Sequence, residues 1–148
     1  MFSKSLKGIV ALSVVALGTA TAAYAGVKCP SADEVKKADR SLNTVMRQSQ
    51  RGFFVLSAQP AVNSSGLGWM VATQTTGNGF DDAFGKGQES VRSVVAAAMD
   101  SPNEQQGVLI CPYLTTSGGM NVMAVAQEQQ GLIFNPSKLK LDKIKFKN

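Results

Sequence analysis

The spacing of apolar and polar positions predicts a helix at the start of the region that follows residue 25. Ser31 is a favourable N-cap, and Glu34 three positions later completes a capping box. Apolar residues then recur at helical spacing up to position 45, and charged residues occupy the positions between them. We therefore expect an amphipathic helix that packs on the rest of the domain and ends before Gly52. Its apolar positions are Val35, Ala38, Leu42 and Val45.

Two apolar runs after Gly52 have the length and composition of strands. Residues 53–56 predict a buried strand, and residues 69–75 predict a second one. Between them, residues 60–68 are rich in Pro, Asn, Ser and Gly, which indicates a turn. The second strand is expected to end at the glycine-rich segment 77–79.

A second helix is predicted over residues 88–99, because apolar residues again recur at helical spacing and Ser101-Pro102 is a stop signal. Its apolar face consists of Val91, Val94, Val95 and Ala98. Phe80, Ala83 and Phe84 precede this helix, and we expect them to form an apolar lid over the sheet.

The remaining patterns predict further strands. Residues 108–111 form a strongly apolar run, a hairpin is expected at 117–119, and residues 120–127 alternate in strand fashion. A short apolar run follows at 132–134, and residues 138–147 alternate basic and apolar with a phase slip at Asp142-Lys143. The order of elements predicts an α+β domain, with two helices on one face of an antiparallel sheet of about four to five strands.

The first 25 residues have the three parts of a signal peptide. Lys4 and Lys7 are followed by an uncharged stretch, and Ala23-Tyr24-Ala25 matches the small-x-small cleavage rule. A retained anchor would need about 20 apolar residues, and this run is shorter. We therefore expect a signal peptide at 1–25 and a single α+β domain at 26–148. The domain would be exported to the periplasm or secreted, without a membrane span after cleavage.

Composition excludes several classes of function. Loss of Lys4 and Lys7 with the leader lowers the net charge from +5 to +3, too weak a bias for nucleic-acid binding. The chain has no histidine, so a Ser-His-Asp triad and a His-ligated metal site are excluded. The glycine-rich segment 77–79 lacks the third glycine of a phosphate-binding motif. Paired carboxylates can act as acid and base in catalysis, but adjacent ones such as Asp81 and Asp82 are usually solvated. We expect a protein that is not an enzyme, with neither catalytic residues nor a metal site.

Both cysteines, Cys29 and Cys111, lie outside the leader. In an oxidising compartment such a pair is expected to form a disulfide. Free thiols are the alternative. Because each cysteine precedes a proline, free thiolates would resemble the Cys-Pro ligands of some haem proteins.

Several other side chains are candidates for contact with an apolar or haem-like ligand. Tyr113 could ligate ferric haem as a phenolate, methionines could supply thioether contacts, and aromatic residues could line a flat cleft. Ordinary core packing is the alternative for each of them. The candidates are Tyr113, Met70, Met120, Met123, Trp69, Phe80 and Phe84.

Beyond single residues, the chain resembles a known family. The leader, the start of the first helix at Cys29-Pro30-Ser31-Ala32-Asp33-Glu34, the 53–56 strand and the segment Leu109-Ile110-Cys111-Pro112-Tyr113 occur in an order similar to that of small exported hemin-binding proteins of intracellular Gram-negative bacteria. This resemblance covers the mature chain. It implies hemin binding outside the cytoplasm for iron acquisition, with hemin as a bound ligand.

A different class of function is the alternative hypothesis. The chain would be a secreted interaction protein that binds a host or envelope macromolecule through its sheet face or its basic segment 138–147. That segment could contact an anionic surface. The simpler interpretation is an edge strand whose lysines prevent edge-to-edge association.

Overall fold

The computed structural model describes residues 26–105 and 107–127. They form an α+β fold, as the sequence predicts, but the antiparallel sheet has eight strands rather than four to five. The predictions for residues 1–25, 132–134 and 138–147 lie outside the described residues. The helices are α1 (Ala32–Lys36) and α2 (Phe80–Arg92), with a 3-10 helix at Lys37–Ser41. The strands are β1 (Thr44–Arg47), β2 (Gly52–Leu56), β3 (Val62–Ser64), β4 (Leu67–Thr76), β5 (Val94–Ala97), β6 (Asn103–Gln105), β7 (Val108–Thr115) and β8 (Val122–Gln127).

The sheet has the strand order β1-β2-β4-β8-β7-β5, with β3 paired to β4 and β6 paired to β7. Every pairing is antiparallel. Because side chains alternate along each strand, the register divides the strand residues between two faces. The first face carries Trp69, Val71 and Tyr113, and the second face carries Leu56, Met123 and the other residues that alternate with the first set.

The helices pack on the first face. Val35 of α1, Ala38 of the 3-10 helix and Val91 of α2 belong to the same buried cluster as Trp69 and Tyr113. An ion pair also joins the 3-10 helix to α2, since Arg92 Nε lies 2.6 Å from Asp39 Oδ2. The expectation that the helices share one face of the sheet agrees with this cluster.

The first helix begins where predicted but ends much earlier. Ser31 Oγ accepts a hydrogen bond from the Glu34 N–H at 3.2 Å, and the Glu34 carboxylate accepts one from the Ser31 N–H at 2.8 Å, so the capping box is confirmed. The chain leaves α-helical geometry at Lys37, and Val45 lies in β1. The extension to Val45 was wrong because pairing of Thr44 and Val45 with β2 decides the conformation there.

The second helix was predicted too late in the sequence. It runs from Phe80 to Arg92, so Phe80 and Phe84 are helical and do not form a separate lid. Val94 begins β5, where pairing with β7 replaces the helical pattern. Gly87 concealed this helix because glycine has low helix propensity. The glycine is required by packing, since a Cβ there would lie 2.7 Å from the Val55 Cβ.

Strand β7 continues past the predicted end at Cys111. Pro112 lies between the part of β7 that pairs with β6 and the part that pairs with β5. Its carbonyl accepts a hydrogen bond from the Ala98 N–H at 2.9 Å. A proline is therefore tolerated inside this strand, because its missing N–H falls in the gap between two short partners.

The other strand predictions that fall on described residues are confirmed. Residues 53–56 lie in β2, residues 69–75 lie in β4, and the hairpin at 117–119 joins β7 to β8. The turn predicted at 60–68 contains a hairpin of its own, in which Ser65 and Gly66 join β3 to β4 with φ values of 53° and 74°. Positive φ at both central positions is the geometry of a tight two-residue hairpin.

Candidate functional site

The aromatic candidates Tyr113 and Trp69 lie on the first face of the sheet, beneath the helices, and both are fully buried. The Tyr113 hydroxyl donates a hydrogen bond to the Pro30 carbonyl at 2.6 Å, and Trp69 Nε1 donates one to the Ser64 carbonyl at 3.0 Å. Burial, with the nearby negative charge of Glu34 as a smaller cause, raises the pKa of Tyr113 well above its ordinary value. In this conformation the phenol is neutral and its oxygen already has a partner.

The two cysteines form a disulfide, which confirms the pairing predicted from the sequence. The Cα atoms of Cys29 and Cys111 are 5.7 Å apart, and the bond joins the segment before α1 to the middle of β7. The Cys29 N–H also donates to the Asp100 carbonyl at 2.9 Å. In this state neither Cys-Pro dipeptide offers a thiolate to a ligand.

The methionine candidates lie away from Tyr113. Met70 on β4 and Met123 on β8 belong to the second face, where they are diagonal neighbours because Met70 pairs with Val125 and Met123 pairs with Ala72. Both are buried. Met120 is half-buried just before β8, next to the hairpin turn. The structure therefore brings Met70 and Met123 together but does not join them to the tyrosine.

Phe80 has the most exposed side chain among the sequence-derived candidates. It is the first residue of α2 and is 52% exposed. Its ring packs edge-on against the buried ring of Phe53, with a centroid distance of 5.6 Å and an interplanar angle of 70°. Phe84, one turn further along α2, is half-buried and packs against the first-face cluster. Phe80 is thus an exposed aromatic ring that packs against Phe53, whereas Phe84 contributes to the core.

Arg47 completes this surface. Its guanidinium carbon lies 5.2 Å from the Phe53 ring centroid and 5.5 Å from the Phe80 ring centroid, within the range of cation–π contact. We call Arg47, Phe53 and Phe80 the Arg47–Phe80 patch. The register of β1 on β2 places Arg47 directly opposite Phe53, and α2 begins beside them.

The charged residues near the Arg47–Phe80 patch differ in whether they form ion pairs. Asp82 accepts a hydrogen bond from the Asn78 N–H at 2.9 Å and pairs with Lys86 at 3.0 Å. The Asn78 hydrogen bond, followed by the interaction with Lys86, lowers the pKa of the Asp82 carboxyl. The ion pairs of the described residues join Lys86 to Asp82 and Arg92 to Asp39, and Arg47 belongs to neither pair. The guanidinium N–H groups of Arg47 can therefore donate hydrogen bonds to a carboxylate of a ligand.

Sequence reasoning missed Arg47 because the helical spacing around Val45 concealed strand β1. Recognition of a hairpin at Ser49-Gln50-Arg51-Gly52 would have placed Arg47 opposite Phe53 and revealed the pair. Within residues 26–105 and 107–127, no group of three or more Cys, Asp, Glu or His side chains could hold a metal ion. No helix of that same part of the chain is long and apolar enough to cross a membrane.

Comparison with known proteins finds no matching family model, no matching curated protein and no matching solved structure.

Proposed function

We propose that this chain is an exported, non-enzymatic protein that binds a flat aromatic anion of the hemin type at the Arg47–Phe80 patch. The observation that supports this proposal is the Phe80 ring, which is 52% exposed yet packed against the Phe53 ring and the Arg47 guanidinium. An aromatic ring held rigidly at the surface can stack on a planar ligand with little loss of side-chain entropy.

The chemistry of hemin matches the two parts of the patch. Its porphyrin face is a large apolar plane, suited to the exposed face of Phe80. Its propionate groups are carboxylates, which arginine binds through charge-assisted and often bidentate hydrogen bonds. Neither part of this recognition needs a bond from the protein to the iron, so iron-free protoporphyrin should bind with similar affinity.

The compartment in which the protein would act is inferred from the sequence. The signal-peptide pattern at 1–25 supports export to the periplasm or the cell exterior, where the family resemblance implies a part in iron acquisition. The Cys29–Cys111 disulfide is compatible with such an oxidising compartment.

The test is an absorbance titration of residues 26–148 with hemin, and in parallel with iron-free protoporphyrin. Phe80→Ala and Arg47→Gln should each weaken both affinities about tenfold, which corresponds to about 1.4 kcal/mol. Val95→Ala and Arg40→Gln are matched controls, because they alter an exposed apolar residue and an exposed arginine elsewhere on the surface.

Three results would contradict the proposal: no saturable change in the Soret band, equal affinities for all four variants, or binding of hemin but not of iron-free protoporphyrin. The titration is repeated on reduced protein. A Soret shift that arises only after reduction would move the assignment to the Cys-Pro thiolates. Binding lost in Tyr113→Phe but not in Phe80→Ala would move it to the buried phenol.

A second candidate function is supported by the edge strand β5. Val95 is 51% exposed, Met99 just beyond the strand is 38% exposed, and residues 93–99 carry no charge. Uncharged exposed edges of this kind are suited to pairing with an extended segment of another protein. In this alternative the chain binds a host or envelope protein through β5. Binding to a purified partner that is lost in Ala96→Lys, without any Soret change on addition of hemin, would favour it.

A further inference from the structure

The connection between β4 and α2 contains the one Asn-Gly dipeptide of the chain, Asn78-Gly79. Asn78 is exposed, and Gly79 is half-buried at the N-cap position of α2. Two hydrogen bonds hold the backbone here. The Asn78 N–H donates to Asp82 Oδ2 at 2.9 Å, and the Gly79 carbonyl accepts from the Ala83 N–H at 3.0 Å. The dipeptide is therefore part of an ordered connection at the surface, where water reaches the asparagine side chain.

Two groups of this dipeptide have no hydrogen-bond partner among residues 26–105 and 107–127. They are the side-chain amide of Asn78 and the N–H of Gly79. The Gly79 N–H lies at the N-terminal end of α2, where the first backbone donors lack intrahelical acceptors. Because neither group is held by a partner, rotation of the Asn78 side chain can bring its Cγ atom to the Gly79 nitrogen.

The reaction available to these two groups is deamidation. The Gly79 nitrogen loses its proton and attacks Asn78 Cγ, the new C–N bond closes a five-membered succinimide, and the side-chain nitrogen leaves as ammonia. Water then opens the succinimide at either of its carbonyl carbons. One opening gives aspartate, and the other gives isoaspartate, in which the backbone runs through the former side chain. The net reaction exchanges a water molecule for an ammonia molecule, so it needs no oxidant, reductant or metal.

Glycine at position 79 favours this attack because it has no Cβ to hinder the approach of its nitrogen. The other asparagines of the described residues each precede a residue that has a side chain; they are Asn43, Asn63, Asn103 and Asn121. The side chains of Asn43 and Asn121 are also held by hydrogen bonds to the backbone. Asn78 therefore combines an unhindered neighbour with an unheld, exposed side chain.

We propose that Asn78 is a site of spontaneous deamidation, at which the folded protein is converted to aspartate and isoaspartate forms. The proposal does not depend on hemin binding, because both reacting groups belong to residues 78 and 79. Either product carries a new carboxylate two residues before Phe80. Deamidation therefore adds a negative charge beside the Arg47–Phe80 patch.

The isoaspartate product should also displace the start of α2, because it lengthens the backbone between residues 78 and 79 by a methylene group. The connection has little space for such a change, since a Cβ on Gly77 would lie 3.0 Å from the Ala83 nitrogen. Phe80 is the first residue of the same helix and contacts Arg47. The isoaspartate form should therefore change the position of the Phe80 ring as well as the local charge.

Incubation of residues 26–148 in heavy-oxygen water at mildly alkaline pH tests the proposal, because each hydrolysed site acquires a heavy oxygen. Cleavage after arginine and lysine releases residues 52–86 as one peptide, which contains both Asn63 and Asn78. Asn63 is exposed but precedes Ser64, so it is an internal control. Mass spectrometry of the fragments should show conversion at Asn78 at least about tenfold faster than at Asn63. Equal rates at the two positions would overturn the proposal.

Gly79→Ala separates the chemistry from the fold. Gly79 has an extended backbone with φ of 179°, and a Cβ added there meets no atom within 4 Å, so alanine should fit without a change of structure. Conversion at Asn78 should slow at least about tenfold in this variant. Gly85→Ala, at an exposed glycine of α2, is the matched control and should leave the rate unchanged. With Trp69 emission unchanged, an unaltered rate in Gly79→Ala would overturn the proposal.

The unsubstituted protein is also compared with and without urea. Conversion at Asn78 in the unfolded chain but not in the folded protein would overturn the proposal, because the hydrogen bonds to Asp82 and from Ala83 would then hold the reacting groups apart. The effect on α2 is measured on the separated isoaspartate fraction. It should unfold at a lower temperature than Asn78→Asp, which has the same charge without the longer backbone. Equal unfolding temperatures would overturn the predicted displacement of Phe80.

Discussion

Reduction of the Cys29–Cys111 disulfide should remove a large part of the stability of this domain. The bond closes a loop with a sequence separation of 82. In the chain-entropy model, a loop of that length stabilises the folded state by about 4.5 kcal/mol, because the bond restricts the unfolded chain. Residual structure in the unfolded chain would lower this figure.

The measurement is urea unfolding of residues 26–148, followed by Trp69 fluorescence with and without a reductant. With an m-value of about 1.5 kcal/mol/M, a loss of about 4.5 kcal/mol lowers the midpoint by about 3 M. The Cys29→Ala/Cys111→Ala variant is the control and should not respond to the reductant. It should also be somewhat less stable than the reduced protein, since Cys111 is fully buried and alanine fills less of its site.

A midpoint shift equivalent to less than about 1 kcal/mol, with the m-value unchanged, would refute the entropic reasoning. It would show that the segment before α1 stays near β7 in the unfolded chain, so that the bond restricts that chain little.

Three further predictions concern single side chains, each measured by thermal or urea unfolding of residues 26–148. Tyr113→Phe should cost about 1–3 kcal/mol, because it leaves the buried Pro30 carbonyl without its donor. The unsubstituted protein should also lose stability as pH rises above about 10, since the unfolded tyrosine ionises there while burial raises the pKa of folded Tyr113. This alkaline loss should be smaller in Tyr113→Phe, and identical curves would contradict the argument. Gly87→Ala should destabilise by about 1–3 kcal/mol through the clash with Val55, whereas Gly85→Ala, with nothing within 4 Å of its new Cβ, should stabilise α2 by about 0.5–1 kcal/mol. The same sign for both glycine variants would refute the packing argument. Ser31→Ala should cost about 1 kcal/mol by removal of the capping box, while Ser31→Asp should retain most of the stability; equal losses in the two would show that the cap does not act as described.

The sequence by itself determined features that depend on neighbouring residues. The capping box at Ser31 and Glu34, the strands at 53–56 and 69–75 and the hairpin at 117–119 were all predicted from local patterns and are present. Their causes are local, because a cap, a tight turn or a β-branched run favours one conformation whatever the distant chain does. The Cys29–Cys111 bond was also predictable, since a pair of cysteines allows one intramolecular pairing.

Only the tertiary structure decided where helices give way to strands. Val45 and Val94 each continue a helical spacing of apolar residues, yet both lie in strands, because pairing with Val55 and Thr115 respectively stabilises the extended form. Gly87 lies inside a helix against local propensity because α2 must approach β2 closely. Such contacts join residues far apart in sequence, and a local pattern carries no information about them.

The same distinction separates the candidate residues. Sequence patterns could list Tyr113, Met70, Met123 and Phe80 as candidates, but residue type does not reveal which face of the sheet or which depth each one occupies. The strand register assigns Tyr113 to the covered first face and the two methionines to the second. The start of α2 beside β1 and β2 leaves Phe80 exposed next to Arg47. The sequence identified the candidate residues by their type. Strand pairing and helix packing decided which of them lie together, because these contacts bring distant segments of the chain together.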